Sequence, residues 1–395
     1  MATIDNAVSR MAKKYGDSFQ KFGKPQIVPA ISTGSLCLNQ AIGEPSGIPE
    51  GAIVEIYGWQ HSGKTLMSYL TIIEAQKKYP ERPCLIIDAE RQFKYQARWA
   101  ESLGVNVEEL MVTECVTGEE AFDKLVAAVL GECEYDKDGN VVKVLKKGDF
   151  SVIVVDSVTQ LIPASEKDAD MDDSIRMAAQ AGMIGKGLRK LLSAMTQAKS
   201  DTIIIFINQV RTAPSLNPKA KAESRSGGKA LPFYATLIWK VTKVFDSEVR
   251  DGGKLISHDV QVKFGKNKAG SLPVDPVQFT LKYDGTGIDN EKELFEVAKY
   301  NGVIDQSGAY YQFVNQKTGK PDENVKKFYR KDWLEVLEQN PMKRKLIMDL
   351  IKKGKVFVEE MTTEAYEKAY QQSGVKVEPK PNQTKKAKKD EISSI

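Results

Sequence analysis

The chain has 395 residues, 41% apolar and 28% charged, the usage of an ordinary globular protein. Its 57 Lys and Arg against 53 Asp and Glu leave a formal charge of only +4, which by itself points to no nucleic-acid partner. No window of about 18 uncharged apolar residues occurs, which disfavours a membrane span. The opening MATIDNAVSRMAKKYGDSFQKFGKP has no apolar stretch of the kind a secretory signal needs. Cys37, Cys84, Cys115 and Cys133 lie far apart with no C-x-x-C, so disulfide frameworks and zinc modules are disfavoured and a reducing, cytoplasmic setting fits.

In chain order, Ile4, Val8, Met11 and Tyr15 at helical spacing predict an N-terminal helix that Gly23 and Pro25 end. Short Val- and Ile-rich runs at 52–57, 84–87, 152–155 and 202–207 predict strands buried on both faces. Helical periodicity at 66–79, 119–130 and 184–198 alternates with them, which gives an α/β doubly wound, parallel-dominated core. Residues 132–149 read as a polar hairpin inserted between helix and strand, turning at 138–140. Residues 212–230 form nineteen positions without apolar period, and loops of that length inside a domain are usually functional or disordered. Beyond 284–287 (DGTG) a helix, a strand at 310–313 and two amphipathic helices predict a small α+β domain. Residues 376–389 carry six lysines and one glutamate, the composition of a disordered tail. The expected units are thus 1–33, 34–286, 287–374 and 375–395.

The pattern G-x-x-x-x-G-K-T occupies Gly58, Trp59, Gln60, His61, Ser62, Gly63, Lys64 and Thr65, with Leu66 opening the helix behind it. Directly after a strand and before a helix, it is the arrangement that wraps backbone N–H groups around phosphates. Lys64 would reach the β- and γ-phosphates of ATP, and the Thr65 hydroxyl would ligate Mg²⁺. Asp156, at the end of the 152–155 strand, supplies the acid that holds the magnesium shell. Glu90 and Asn208-Gln209 also end strands, where open α/β sheets bind ligands. A carboxylate there can orient the attacking water, and a glutamine can sense the γ-phosphate.

The wording around these residues resembles the RecA family of homologous recombination proteins. The stretches 31–36 (ISTGSL), 47–58 (GIPEGAIVEIYG), 87–90 (IDAE), 154–157 (VVDS), 206–211 (FINQVR), 226–235 (SGGKALPFYA) and 266–268 (KNK) follow the family's order. The likeness spans about residues 29–289 and continues weakly through 307–311. It implies an ATP-dependent strand-exchange recombinase of DNA recombination and repair, linked to the response to DNA damage and the SOS response. Such a protein forms a helical homo-oligomeric filament on single-stranded DNA, pairs it with homologous duplex, and can take loading or mediator proteins. By the resemblance, Glu90 activates water, Gln209 joins the γ-phosphate to the second DNA loop, and Lys266 and Lys268 reach ATP on the adjacent subunit. Trp99 falls where the family has an aromatic beside the adenine, with core packing an equal alternative. The loop 212–230 matches the second DNA loop. Arg211, Lys219, Lys221, Arg225 and Lys229 are its phosphate contacts, and Gly227 and Gly228 allow close approach to a strand. Residues 164–181 occupy the place of the first DNA loop, with Arg176 its only arginine, and Arg189 matches a phosphate contact on the helix that follows.

Three departures stand beside the resemblance. The first loop starts acidic, the tail is basic where bacterial members commonly end acidic, and the 132–149 insertion is unusual. The extra segments and the divergent first loop lean towards a bacteriophage-type recombinase. Two other readings compete with it. A hexameric helicase motor would normally carry a larger N-terminal domain than the 57 residues before this loop. A non-enzymatic mediator is at odds with intact Lys64, Thr65, Glu90 and Asp156.

Overall fold

Strands apolar on both faces need helical cover on both, and here they have it. The computed structural model describes residues 9–14, 28–43, 46–137, 139, 141–167, 173–212, 223–270, 276–316 and 318–352. Its strands are β1 (Ala30–Ile31), β2 (Ile48–Pro49), β3 (Ile53–Gly58), β4 (Cys84–Asp88), β5 (Leu110–Glu114), β6 (Glu132–Tyr135), β7 (Val141–Lys146) and β8 (Val152–Asp156). Next come β9 (Ile203–Thr212), β10 (Glu223–Arg225), β11 (Leu237–Lys243), β12 (Val249–Asp251), β13 (Lys254–Asn267), β14 (Val277–Lys282), β15 (Ile304–Ser307) and β16 (Tyr310–Phe313). A ten-stranded sheet runs β12-β13-β11-β3-β9-β8-β4-β5, with β14 added to β13 and β10 to β9. From β11 through β3, β9, β8 and β4 to β5 every pairing is parallel, and β13 joins antiparallel. This is the α/β, parallel-dominated core that the sequence predicts.

The alternation of side chains assigns each strand residue to a face. Val54, Ile56, Ile86, Val154 and Ile205 pack in one core with Leu66, Leu70 and Ile73 of the helix Lys64–Lys78. Ile53, Leu85, Ile153, Val155 and Phe206 pack in the other, with Phe122 and Leu125 of the helix Gly118–Leu130 and Leu188 and Leu191 of the helix Asp173–Ala198. Each such side chain, fully buried, contributes about 1.5–3 kcal/mol.

The inserted segment forms the expected hairpin, β6 against β7 antiparallel; Asp138 and Asn140 of its turn lie outside the described residues. Two expected boundaries move. The helix expected from 184 begins at Asp173, so much of the segment read as the first loop is helical. Alanines at 178, 179 and 181 favour helix there, and Gln180 anchors it by donating from Nε2 to the Leu161 carbonyl at 3.0 Å. The strand expected to end at 207 runs to Thr212, because β10 folds back on it with Ser224 opposite Arg211 and Arg225 opposite Val210.

Leu294, Phe295, Phe313, Trp333 and Ile347 form a third core, in which Phe295 meets Trp333 edge-on at 5.2 Å. Its first helix, Asn290–Tyr300, also reaches the main body. Glu293, 1% exposed, accepts from the Leu36 backbone N–H at 2.6 Å and is hydrogen-bonded to the Ser35 hydroxyl, itself the N-cap of the helix Leu36–Ile42. Of the expected N-terminal helix, 9–14 are described and helical; the tail 375–395 lies outside the described residues.

Candidate nucleotide and DNA site

The phosphate loop joins β3 to the helix Lys64–Lys78, and glycine is required at both ends of it. A Cβ on Gly58 would lie 2.2 Å from the Val241 carbonyl oxygen. Gly63 has φ +94°, and a Cβ there would lie 2.2 Å from Leu281 Cδ1. No side chain caps the helix, and its first turn holds no acid, so its N–H groups face the loop uncompensated. Ser62 Oγ is buried without a hydrogen-bond partner. Lys64 donates from Nζ to the Trp59 carbonyl at 2.7 Å, and burial lowers its pKa. Trp59, Gln60 and His61 are exposed on the rim, while Leu66 is buried in the core and contributes backbone only. An anion seated in this loop would satisfy the orphan donors.

Thr65 and Asp156 converge across 91 positions of sequence, the hydroxyl donating to Oδ2 at 3.2 Å. Burial first, then the neighbouring Glu90 carboxylate, push the Asp156 carboxyl up to about 7. Among the described residues, no group of three or more His, Cys, Asp or Glu is arranged to hold a metal alone. Mg²⁺ bound largely by phosphate and water needs only one or two protein oxygens, so a hydroxyl beside a carboxylate fits it.

Glu90 follows β4, whose last residue, Asp88, is buried and spends its carboxylate on the Gln92 and Phe93 backbone N–H groups. Glu90 Oε1 accepts from Ser157 Oγ at 2.5 Å and from Gln209 Nε2 at 2.9 Å. Parallel pairing sets Gln209 beside Gly58. One short chain therefore runs from the phosphate loop's neighbour Gln209 to the carboxylate at the strand end. Ser157, which sequence reasoning left without a role, is its third member; its adjacency to Asp156 was the available signal.

Arg211 is exposed in β9 just before the segment 213–222; Lys219 and Lys221 lie outside the described residues, as does the side chain of Arg176. Arg189 and Lys229 are exposed. Gly227 and Gly228 pack the loop's far end on the helix Asp173–Ala198. Cβ atoms there would come within 2.8 Å of Ile184 Cδ1 and 2.9 Å of Ala181 Cβ. Arg225 turns inward and pairs with Glu55 at 2.8 Å. Lys266 donates to the Pro232 and Phe233 carbonyls at 3.0 and 2.8 Å, with Lys268 exposed nearby. Lys266 pairs with Ile238 while Gly58 pairs with Val241, three residues further along β11. That is roughly 10 Å along the strand from their own phosphate loop. Trp99, half-buried, is edge-on to Tyr69 at 5.6 Å and stacked on Tyr283 at 6.3 Å. A cavity of about 620 Å³, lined by Cys37, Phe279, Glu293 and Tyr300 among others, shares no residue with this cluster.

The fold and the strand–glycine loop–helix site define a class: a parallel α/β core with a glycine loop suited to an anion at the carboxyl ends of its strands. The family model of the RecA N-terminal domain matches residues 2–289, and the chain belongs to the RecA family. Curated relatives called "Protein RecA" agree. That of Desulforapulum autotrophicum is 35% identical over 82% of this chain and 86% of its own. That of Rickettsia massiliae is 34% identical over 83% and 88%, and that of Chloroherpeton thalassium 33% over 83% and 85%. Among the described residues, no helix is long and apolar enough to cross a membrane.

Proposed function

We propose that this chain is an ATP-dependent DNA strand-exchange recombinase of homologous recombination and repair. It would form helical filaments on single-stranded DNA, pair that strand with homologous duplex, and hydrolyse ATP in response to DNA. The observation that carries this reading is the hydrogen bond from Gln209 to Glu90. It ties the group beside the phosphates to a strand, β9, that runs directly into the basic loop.

In this reading the loop Gly58–Thr65 and Lys64 seat the phosphates, and Thr65 with Asp156 hold Mg²⁺, which offsets charge on the transferred group. Glu90, steered by Ser157 and Gln209, orients the attacking water and takes its proton. Gln209 would release Glu90 when a γ-phosphate offers it a stronger acceptor, so nucleotide state and β9 move together. Arg211, Lys229, Arg189 and the lysines of 213–222 hold DNA phosphates without reading sequence. Lys266 and Lys268, at and just past the end of β13 and displaced along the sheet from their own loop, would complete the site of the adjacent protomer. The half-buried face of Trp99 with Tyr283 is a surface for the base. The unit boundaries 1–33, 34–286, 287–374 and 375–395 belong to the same proposal.

Purified protein is expected to hydrolyse ATP faster when single-stranded DNA is added, and Lys64→Ala to abolish hydrolysis. Turnover indifferent to DNA would remove the reading's main support.

A further inference from the structure

Glu55 interrupts the apolar run of β3, three residues before Gly58, and its carboxylate is fully buried. A charge there needs partners. Arg225 Nη1 donates to Glu55 Oε2 at 2.8 Å, and its guanidinium lies 4.4 Å from the centre of the Tyr57 ring. Asn208 Nδ2 donates both to Glu55 Oε1 and to the Ser226 carbonyl, each at 3.0 Å. Asn208 Oδ1 in turn accepts the backbone N–H of Gln209 at 2.9 Å. Burial raises the Glu55 pKa while Arg225 and Asn208 lower it. The side chain of Arg225 is 29% exposed and Glu55 is not exposed at all, so the guanidinium is drawn inward to a charge that cannot move outward.

We propose that Arg225 is a positioning residue, not a DNA ligand: with Glu55, Tyr57 and Asn208 it clamps the far end of the DNA loop to the strand that carries the phosphate loop. Three elements meet in this clamp. β3 brings the phosphate loop, β9 brings Gln209, and residues 225–226 bring the loop's return end. A shift of Gln209 on nucleotide binding moves the Asn208 amide and, through it, both ends of the loop. An untethered return end would follow only one of them. A planar fork stacked on a tyrosine ring holds the carboxylate in a fixed direction, which a lysine cannot reproduce.

The inference rests on the DNA-binding function proposed above. Its test is a double-mutant cycle on the full chain. Affinity for a fluorescent single-stranded oligonucleotide is measured with and without a non-hydrolysable ATP analogue, over a range of salt. Arg225→Gln and Glu55→Gln are each expected to cut the nucleotide-induced gain in affinity about tenfold. The double variant should lose no more than either single one, and the slope of log affinity against log salt should not change. Arg225→Lys should recover only part of the gain. If Arg225 instead grips a phosphate, Arg225→Gln lowers that slope by about one. Glu55→Gln, which frees the guanidinium, would then leave binding intact or tighten it. That pattern overturns the proposal, as does an equal loss of affinity with and without nucleotide. Should Arg225→Gln fail to fold, Glu55→Gln and Arg225→Lys give the same comparison, because only the clamp predicts a loss for Glu55→Gln. A wild-type chain whose affinity ignores nucleotide would instead count against the function itself.

Discussion

Glu90 is held by two donors and crowded by a second acid, and each contact has a consequence. Ser157 and Gln209 both point hydrogen at Oε1, which fixes the direction of the carboxylate and leaves Oε2 for a water. Replacing it with glutamine keeps the shape and, in the proposed mechanism, removes the base. Glu90→Gln is therefore expected to bind nucleotide as the wild type does and to hydrolyse it about 10²–10⁴-fold more slowly. Binding titrations beside turnover measurements separate the two. The carboxylates at the strand ends are legible in sequence because each follows an apolar run. Their connection is not: Gln209 and Glu90 lie 119 positions apart, and only the side-by-side order of β4, β8, β9 and β3 joins them. The ion pair of Arg225 is equally hidden in the sequence. A basic residue in a long polar segment reads as a phosphate contact, and its partner Glu55 is 170 positions away. The one available signal was a lone glutamate in the run Ile53-Val54-Glu55-Ile56.

At the scale of elements, periodicity placed the strands and helices, and tertiary pairing moved their ends. β9 outruns its apolar stretch because β10 supplies a hydrogen-bonding partner, and the long helix starts early because its alanine-rich first turns have somewhere to dock. The contact between the helices Leu36–Ile42 and Asn290–Tyr300 was invisible beforehand, although it decides how the third core meets the first. Burial pushes the Glu293 carboxyl up from an ordinary 4.5 to about 7. An acid with a higher pKa folded than unfolded binds more protons in the folded state between those values. Stability therefore falls as pH rises from about 4.5 to about 7 and levels off above, by up to about 3 kcal/mol from this group. Glu293→Gln keeps an acceptor for the Leu36 N–H and a donor for Ser35 Oγ. It should flatten that part of the curve and be more stable than the wild type at pH 8, as denaturant midpoints at pH 5 and 8 would reveal. A curve of unchanged slope would mean that the buried carboxylate is not what opposes folding at neutral pH.

Over the whole molecule, a formal charge of +4 conceals a sorted distribution. Two acids, Asp156 and Glu90, lie near Lys64, and bases gather in the sequence after β9 and in the C-terminal residues. In the proposed function the site inside one chain is also incomplete in a specific way. The glycine loop, Glu90, Thr65 and Asp156 lie together at one end of the sheet. The lysines of 266–268 lie towards the other end, beside the helix Ala230–Tyr234. A head-to-tail neighbour can bring such lysines to the cradle, and a head-to-tail contact that does not close generates a helix rather than a ring. Electron microscopy of the full chain with single-stranded DNA and a non-hydrolysable ATP analogue tests this most directly. The account predicts open helical filaments that need both the DNA and the nucleotide. Closed rings of six, or particles that remain single with both present, would contradict it.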